Sequence, residues 1–194
     1  MNSKRLLTLG CLSWSLTFTP LFAQAACSAD PQTLSGAQSL GGKTLDYKAT
    51  IDTSGIVGNA VFACDVTSKG WVSNSTIKSG VTFRGGVLTG NIVNEGTIAD
   101  VEFVGTSIKG GTLSGKITNS SKVGGTFKDV HLAANAQISG GILQGDIVGD
   151  KSAPASLDNL KIKDGSKLSG VKLGKNVKRG KNVTVEETGS TTPT

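Results

Sequence analysis

Few residues in this chain have the chemistry of catalysts or ligands. One histidine and three cysteines in 194 residues cannot build a zinc cluster or a disulfide-dense miniprotein. Asp100, Glu102 and Asp129 are the carboxylates a sugar-cleaving enzyme would need, provided that the fold stacks them on one face. His131 is the sole imidazole, and Glu102 and Lys161 hold its place in sister segments; a position that accepts acid, base or imidazole reads as surface. Asn91, Lys116 and Asp146 follow a glycine in three similar segments, but a lysine inside a calcium ladder would oppose the ion. No catalytic residue, metal or cofactor is therefore expected. Trp71 is read as covering a core edge rather than binding sugar.

The cations carry the clearest signal. Residues 151–185 hold Lys151, Lys161, Lys163, Lys167, Lys172, Lys175, Lys178, Arg179 and Lys181 against Asp158 and Asp164, a net +7, whereas residues 26–150 sum to −1. Lys161, Lys163, Lys172, Lys175, Lys178, Arg179 and Lys181 are the candidate ligand-binding set. The anions such an end attracts are acidic polysaccharide, lipopolysaccharide or extracellular DNA. No aromatic residue interleaves the lysines, which disfavours base stacking with single strands. Lysines would equally keep an open strand edge from stacking onto another molecule.

The other elements place these residues. Lys4 and Arg5, the apolar run from Leu6 to Phe22, and Ala23-Gln24-Ala25 have the layout of a secretory signal peptide over residues 1–25. Ser13, Ser15, Thr17, Thr19 and Pro20 interrupt the run, against a spanning helix. Export to the periplasm, outer surface or exterior follows, and with it an oxidising compartment in which Cys27 and Cys64 pair. The rival fate of Cys27, lipidation after cleavage before it, meets Gln24 where lipoprotein signals resemble Leu.

Beyond the leader the chain repeats itself. Gly85-Gly86-Val87-Leu88-Thr89-Gly90-Asn91-Ile92, Gly110-Gly111-Thr112-Leu113-Ser114-Gly115-Lys116-Ile117 and Gly140-Gly141-Ile142-Leu143-Gln144-Gly145-Asp146-Ile147 align, with a decayed fourth copy at 170–177. Ahead of each copy, Asn74, Asp100, Asp129 and Asn159 stand three residues before Ile77, Phe103, Leu132 and Ile162. Apolar residues recur at steps of five, five or six, five and four: Val72, Ile77, Phe83, Leu88, Ile92, and again from Ile98, Phe127 and Leu157. Neither a helix nor a sustained alternating strand has that rhythm. Very short strands joined by corners do, with Gly and Asx supplying the turns. Self-similarity at this scale indicates a solenoid. The expected fold is all-β, a single-stranded parallel β-helix, right-handed from its variable side lengths. It runs over 34–185, with four repeats of 25–30 residues from about residue 72. Residues 26–33 form a lead-in and 186–194 a disordered tail. Insertions at 119–125 and 149–156 should bulge from one corner.

The Gly-Gly-x-Leu-x-Gly-x-Ile and Asx-x-x-apolar elements resemble repeats of bacterial secreted and surface β-helix proteins. The five-residue stride, best seen at Ala99-Asp100-Val101, is similar to that of pentapeptide-repeat proteins. There is a weaker resemblance to bactofilins, from which the leader departs. These resemblances imply a β-helix and supply no catalytic residues. The expected role is that of an exported, non-enzymatic structural or adhesive component. The alternatives are a small β-helix enzyme acting on acidic polysaccharide, and a fibre subunit self-associating through its coil ends.

Overall fold

The structure is a computed structural model that describes residues 27–120 and 124–187. The expected leader and most of the expected tail lie outside these. The described chain has no helix, is about 58% strand and winds into a β-solenoid of about nine turns. Every strand pairing is parallel, each short strand bonding to the strand one turn below and one turn above.

The winding follows from the five-residue stride. Each turn has three sides, and each side sends one large apolar residue to the axis. On side I, Ala49, Val66, Phe83, Ile98, Leu113 and Leu132 stack in register, followed by Ile147, Leu168 and Val185. Side II stacks Val57, Val72, Leu88 and Phe103, then Ile117, Ile138, Leu157 and Leu173. Side III stacks Leu45, Phe62 and Ile77, then Ile92, Ile108, Phe127, Leu143 and Ile162. Adjacent turns lie about 4.8 Å apart, so each column is a continuous apolar ladder. Phenylalanines of neighbouring ladders touch across the axis: Phe62 and Phe83 at 5.7 Å between ring centroids, Phe103 and Phe127 edge-on at 5.3 Å. Val177 ends the third ladder, packed against the core, and Arg179, two residues on, opposes Ile162 and is exposed.

The sequence repeat is not a turn of the solenoid. From Leu88 to Leu113, to Leu143 and to Leu173 the chain passes five sides each time, whereas a turn has three. The equivalent leucines therefore fall on sides II, I, III and II. The ladders slip by two residues at four places, where Asn94, Asn119, Gly149 and Arg179 oppose Ile77, Phe103, Leu132 and Ile162. These sites follow the four-residue steps to Ile92, Ile117, Ile147 and Val177, so the shortened step and the slip are one event. Asn94 is buried and satisfied there, taking the Gly96 N–H and donating to the carbonyls of Gly110 and Thr112.

Three expectations need correction. Residues 28–33 are no lead-in: Ser28–Leu34 is the first strand and pairs with Tyr47–Ile51. Pro31 is tolerated there because, among the described residues, the first strand is paired along one edge alone. At the far end, strand Thr184–Glu187 carries the solenoid two residues past 185. The insertions leave from two corners, not one, since 119–125 lies between sides II and III and 149–156 between sides I and II.

Candidate functional site

Residues flanking each inward side chain point outward, so each side displays two columns along the axis. On side III one column reads Ser107, Thr126, Ile142, Lys161, Lys178. The other reads Val93, Lys109, Lys128, Gln144, and then Lys163, whose Nζ donates to Gln144 Oε1 at 3.1 Å. With Arg179 this makes six exposed cations on one flat side, spanning four turn spacings, or about 19 Å. Between the columns a shallow groove of about 370 Å³ is floored by Ile92 and Ile108 and walled by Lys109, Lys128, Thr126 and Gln144.

Acids near this side are engaged. Glu95 takes the Lys78 ammonium at 3.3 Å. At the adjoining corner Asp129 Oδ1 accepts the Asp146 amide and Asp164 Oδ1 the Lys181 amide. Of these, Glu95 alone is paired with a cation; Asp129 and Asp164 keep their charge at the corner, and the six cations outnumber them along the flat side.

The structure brings Lys161, Lys163, Lys178 and Arg179 together and separates the rest of the candidate set. Lys172 stands on side II, Lys175 at the corner between sides II and III, and Lys181 at the corner between sides III and I. In their place side III gains Lys109 and Lys128, which lie in the stretch of near-zero net charge. Counting every third apolar residue of the stride, and reading only its neighbours, would have found them. Lys178 and Arg179 also form a strand that, among the described residues, bonds only to the turn below, so they guard an open edge as well.

The carboxylates do not converge. Asp100 stands at the corner of sides I and II, and its Oδ1 accepts the Lys116 amide at 3.0 Å while Oδ2 meets the Arg84 guanidinium. Glu102 accepts from the Ser120 hydroxyl. Asp129 lies at a different corner, since a repeat is not a whole number of turns. Asn91, Lys116 and Asp146 flank sides III, II and I respectively, so that position forms no ladder. His131 is exposed on side I between Thr112 and Val148.

The Asx positions cap corners. Asn74, Asp100, Asp129 and Asn159 all have φ between 46° and 54°, a left-handed corner that Asn and Asp tolerate. Asn74 and Asp129 each accept the amide of the next turn, from Asn91 and Asp146, as Asp100 does from Lys116. Asn159 differs: its amide donates to Ser139 Oγ and its carbonyl takes the Asn176 amide. Each of the first three side chains rests on a glycine, because a Cβ at Gly90, Gly115 or Gly145 would overlap Oδ1 of Asn74, Asp100 or Asp129. In the first three repeats the two shared elements thus meet across adjacent turns.

Cys27 and Cys64 form a disulfide with Cα atoms 5.8 Å apart, tying the residue before the first strand to a buried corner. Trp71 does not cover a core edge: it is 44% exposed on the outer column of side II. Among the described residues no helix is long and apolar enough to cross a membrane; this and the disulfide are compatible with export. No protein-family model, curated protein or solved structure matches the chain.

Proposed function

We propose that this chain is an exported, non-enzymatic β-solenoid of the bacterial cell surface or periplasm that holds an anionic polymer along side III. One observation carries the reading: Lys109, Lys128, Lys161, Lys163, Lys178 and Arg179 come from four turns and share one flat side. Fixed rungs hold those charges in a line, so a linear polyanion meets them without reordering the backbone. Acidic polysaccharide, lipopolysaccharide and DNA all present such a line of charge.

The test is binding of polygalacturonate and of a DNA oligonucleotide across a salt series. Six phosphate contacts predict a slope of log K against log salt of about −4 to −5 for DNA. K109E/K128E should weaken binding and flatten that slope by roughly 0.7–0.9 per lost contact, while K43E/K69E, with the same net-charge change elsewhere, should not. Equal losses in the two variants would reduce the effect to net charge and sink the reading. New reducing ends in the polygalacturonate would instead support the enzyme.

A second reading has its own observation. Among the described residues both end turns carry strands bonded on one side only, which suits coil-end stacking into fibres. Light scattering that rises with added salt, as screening quiets the terminal lysines, would favour it.

A further inference from the structure

Side II presents a surface of quite different chemistry near its N-terminal end. One outward column reads Ala37, Ile56, Trp71, Val87 and the other Ser39, Gly58, Ser73, Thr89, all in register on four successive turns. Ile56 is 53% and Trp71 44% exposed, and none of the eight side chains is charged. We infer that this strip is a second binding site, a track for a neutral, extended glycan lying parallel to the solenoid axis.

Three features select that occupant. A sugar ring has an apolar C–H face and hydroxyl edges, and the strip pairs an apolar column with a column of hydroxyls. The indole at its centre gives one sugar face a broad apolar platform. Gly58 keeps the floor beside it low, and Ser39 Oγ, which accepts the Asn59 amide at 3.2 Å, keeps its proton to donate.

Charge is the second feature: an uncharged strip offers nothing to a polyanion, which side III attracts. Area is the third. Trp71 exposes on the order of 100 Å², and the whole column a few hundred at most, against about 800 Å² per partner in a stable protein interface. A thin polymer fits where a protein would leave most of its footprint unmatched. The uncharged strip ends there: the column continues upward through Glu102 and Thr118 towards a polar groove of about 240 Å³ lined by Lys116, Gln137, Ser139, Ser156 and Asp158. A chain stacked on Trp71 thus has hydrogen-bonding groups ahead of it.

Calorimetric titration of the full chain with cellohexaose, chitohexaose and maltohexaose tests the site. The expected result is binding of a β-linked hexamer that holds from about 0.05 to about 1 M NaCl, because no ion pair is screened. W71A should weaken it roughly tenfold, W71F should retain most of it, and both should melt like the parent. K109E/K128E should leave it unchanged, which separates this track from the basic side. No binding of either β-linked hexamer, equal binding by W71A, or affinity that falls with salt would overturn the inference. So would Trp71-dependent dimerisation in sedimentation, which would give the strip to a second copy.

Discussion

Replacing Gly115 by alanine probes the joint between two turns. Gly115 has φ +64°, where a side chain costs roughly 1–2 kcal/mol. Its new Cβ would also occupy the place of Asp100 Oδ1, forcing that carboxylate off the Lys116 amide. The lost hydrogen bond is worth about 1 kcal/mol, so G115A should cost about 2 kcal/mol or slightly more. D100G loses the same bond but keeps a residue content with positive φ, and should cost about 1 kcal/mol. The exposed Arg84 pair adds little to that figure. Because both substitutions break one bond, the double variant should cost about as much as G115A alone, a coupling of about 1 kcal/mol. D100N should be close to neutral, since Asn74 does the same work towards the Asn91 amide. Urea unfolding of the four proteins measures all of this. Additive losses, or a D100N as damaging as D100G, would refute the joint.

The other perturbations address the core, the staple and an N-terminal corner. F103A empties a fully buried site and removes the edge contact with Phe127, for an expected loss of 3–5 kcal/mol, written as an order of about 4; I108D should do at least as much through a buried unpaired charge, and an unchanged melt in either would refute the ladder register. The Cys27–Cys64 bridge spans 37 residues and should contribute roughly 3–4 kcal/mol by the chain-entropy model, so C27S/C64S should melt lower by some 2–4 °C per kcal/mol; identical melting with and without reductant would refute it. At Asp52 the Ser35 hydroxyl, and then the Ser54 hydroxyl and amide, hold the carboxyl below the ordinary aspartate range. With the folded pKa depressed, this corner's contribution is present at neutral pH and is lost as pH falls through the lowered value. S35A should raise the carboxyl's NMR titration midpoint, and an unmoved midpoint would remove Ser35 as the cause.

The ladders and corners were legible because each is written locally: a large apolar residue about every five, with Asx or Gly at the turn. Leu113 falls where its stride puts it, and Asp100 caps where its type suggests. The faces were not legible, because a face gathers residues 15 to 21 apart while the visible repeat is 25 to 30 long. Lys109 sits in a neutral stretch of sequence and only the winding sets it beneath Lys128. Lys172 belongs to the most basic stretch, and the winding turns it to another side. Trp71 misled for a related reason: its neighbour Val72 is the inward residue, and the strand's alternation fixes the indole outside.

Five sides to a repeat and three to a turn share no factor, and this has a consequence that deletion can test. Removing residues 85–109 takes out one repeat, or one and two-thirds turns, and joins Arg84 to Gly110. Leu113 then lands where Leu88 was, above Val72, and Ile117 where Ile92 was. Gly115 receives Asn74 in place of Gly90, and the Lys116 amide replaces that of Asn91. The cap survives because Asx and glycine of one copy meet each other, so either copy's glycine serves. The shortened chain should keep a parallel-strand circular dichroism spectrum and a cooperative melt, as repeat units joined at equivalent interfaces do. Everything above the junction is turned by one side relative to Trp71, so Lys128, Lys161 and Lys163 stay aligned with one another while the surface above the indole changes. Polyanion binding should fall only by the share of Lys109, whereas the glycan strip exchanges Val87 and Thr89 for Thr112 and Ser114 and should lose whatever Glu102 and the groove beyond it supply. Removing 85–96 instead stops between sides and leaves Val72 and Ile77 without their partners above. If that chain melts as cooperatively as the first, the sides are not the units from which this solenoid is built.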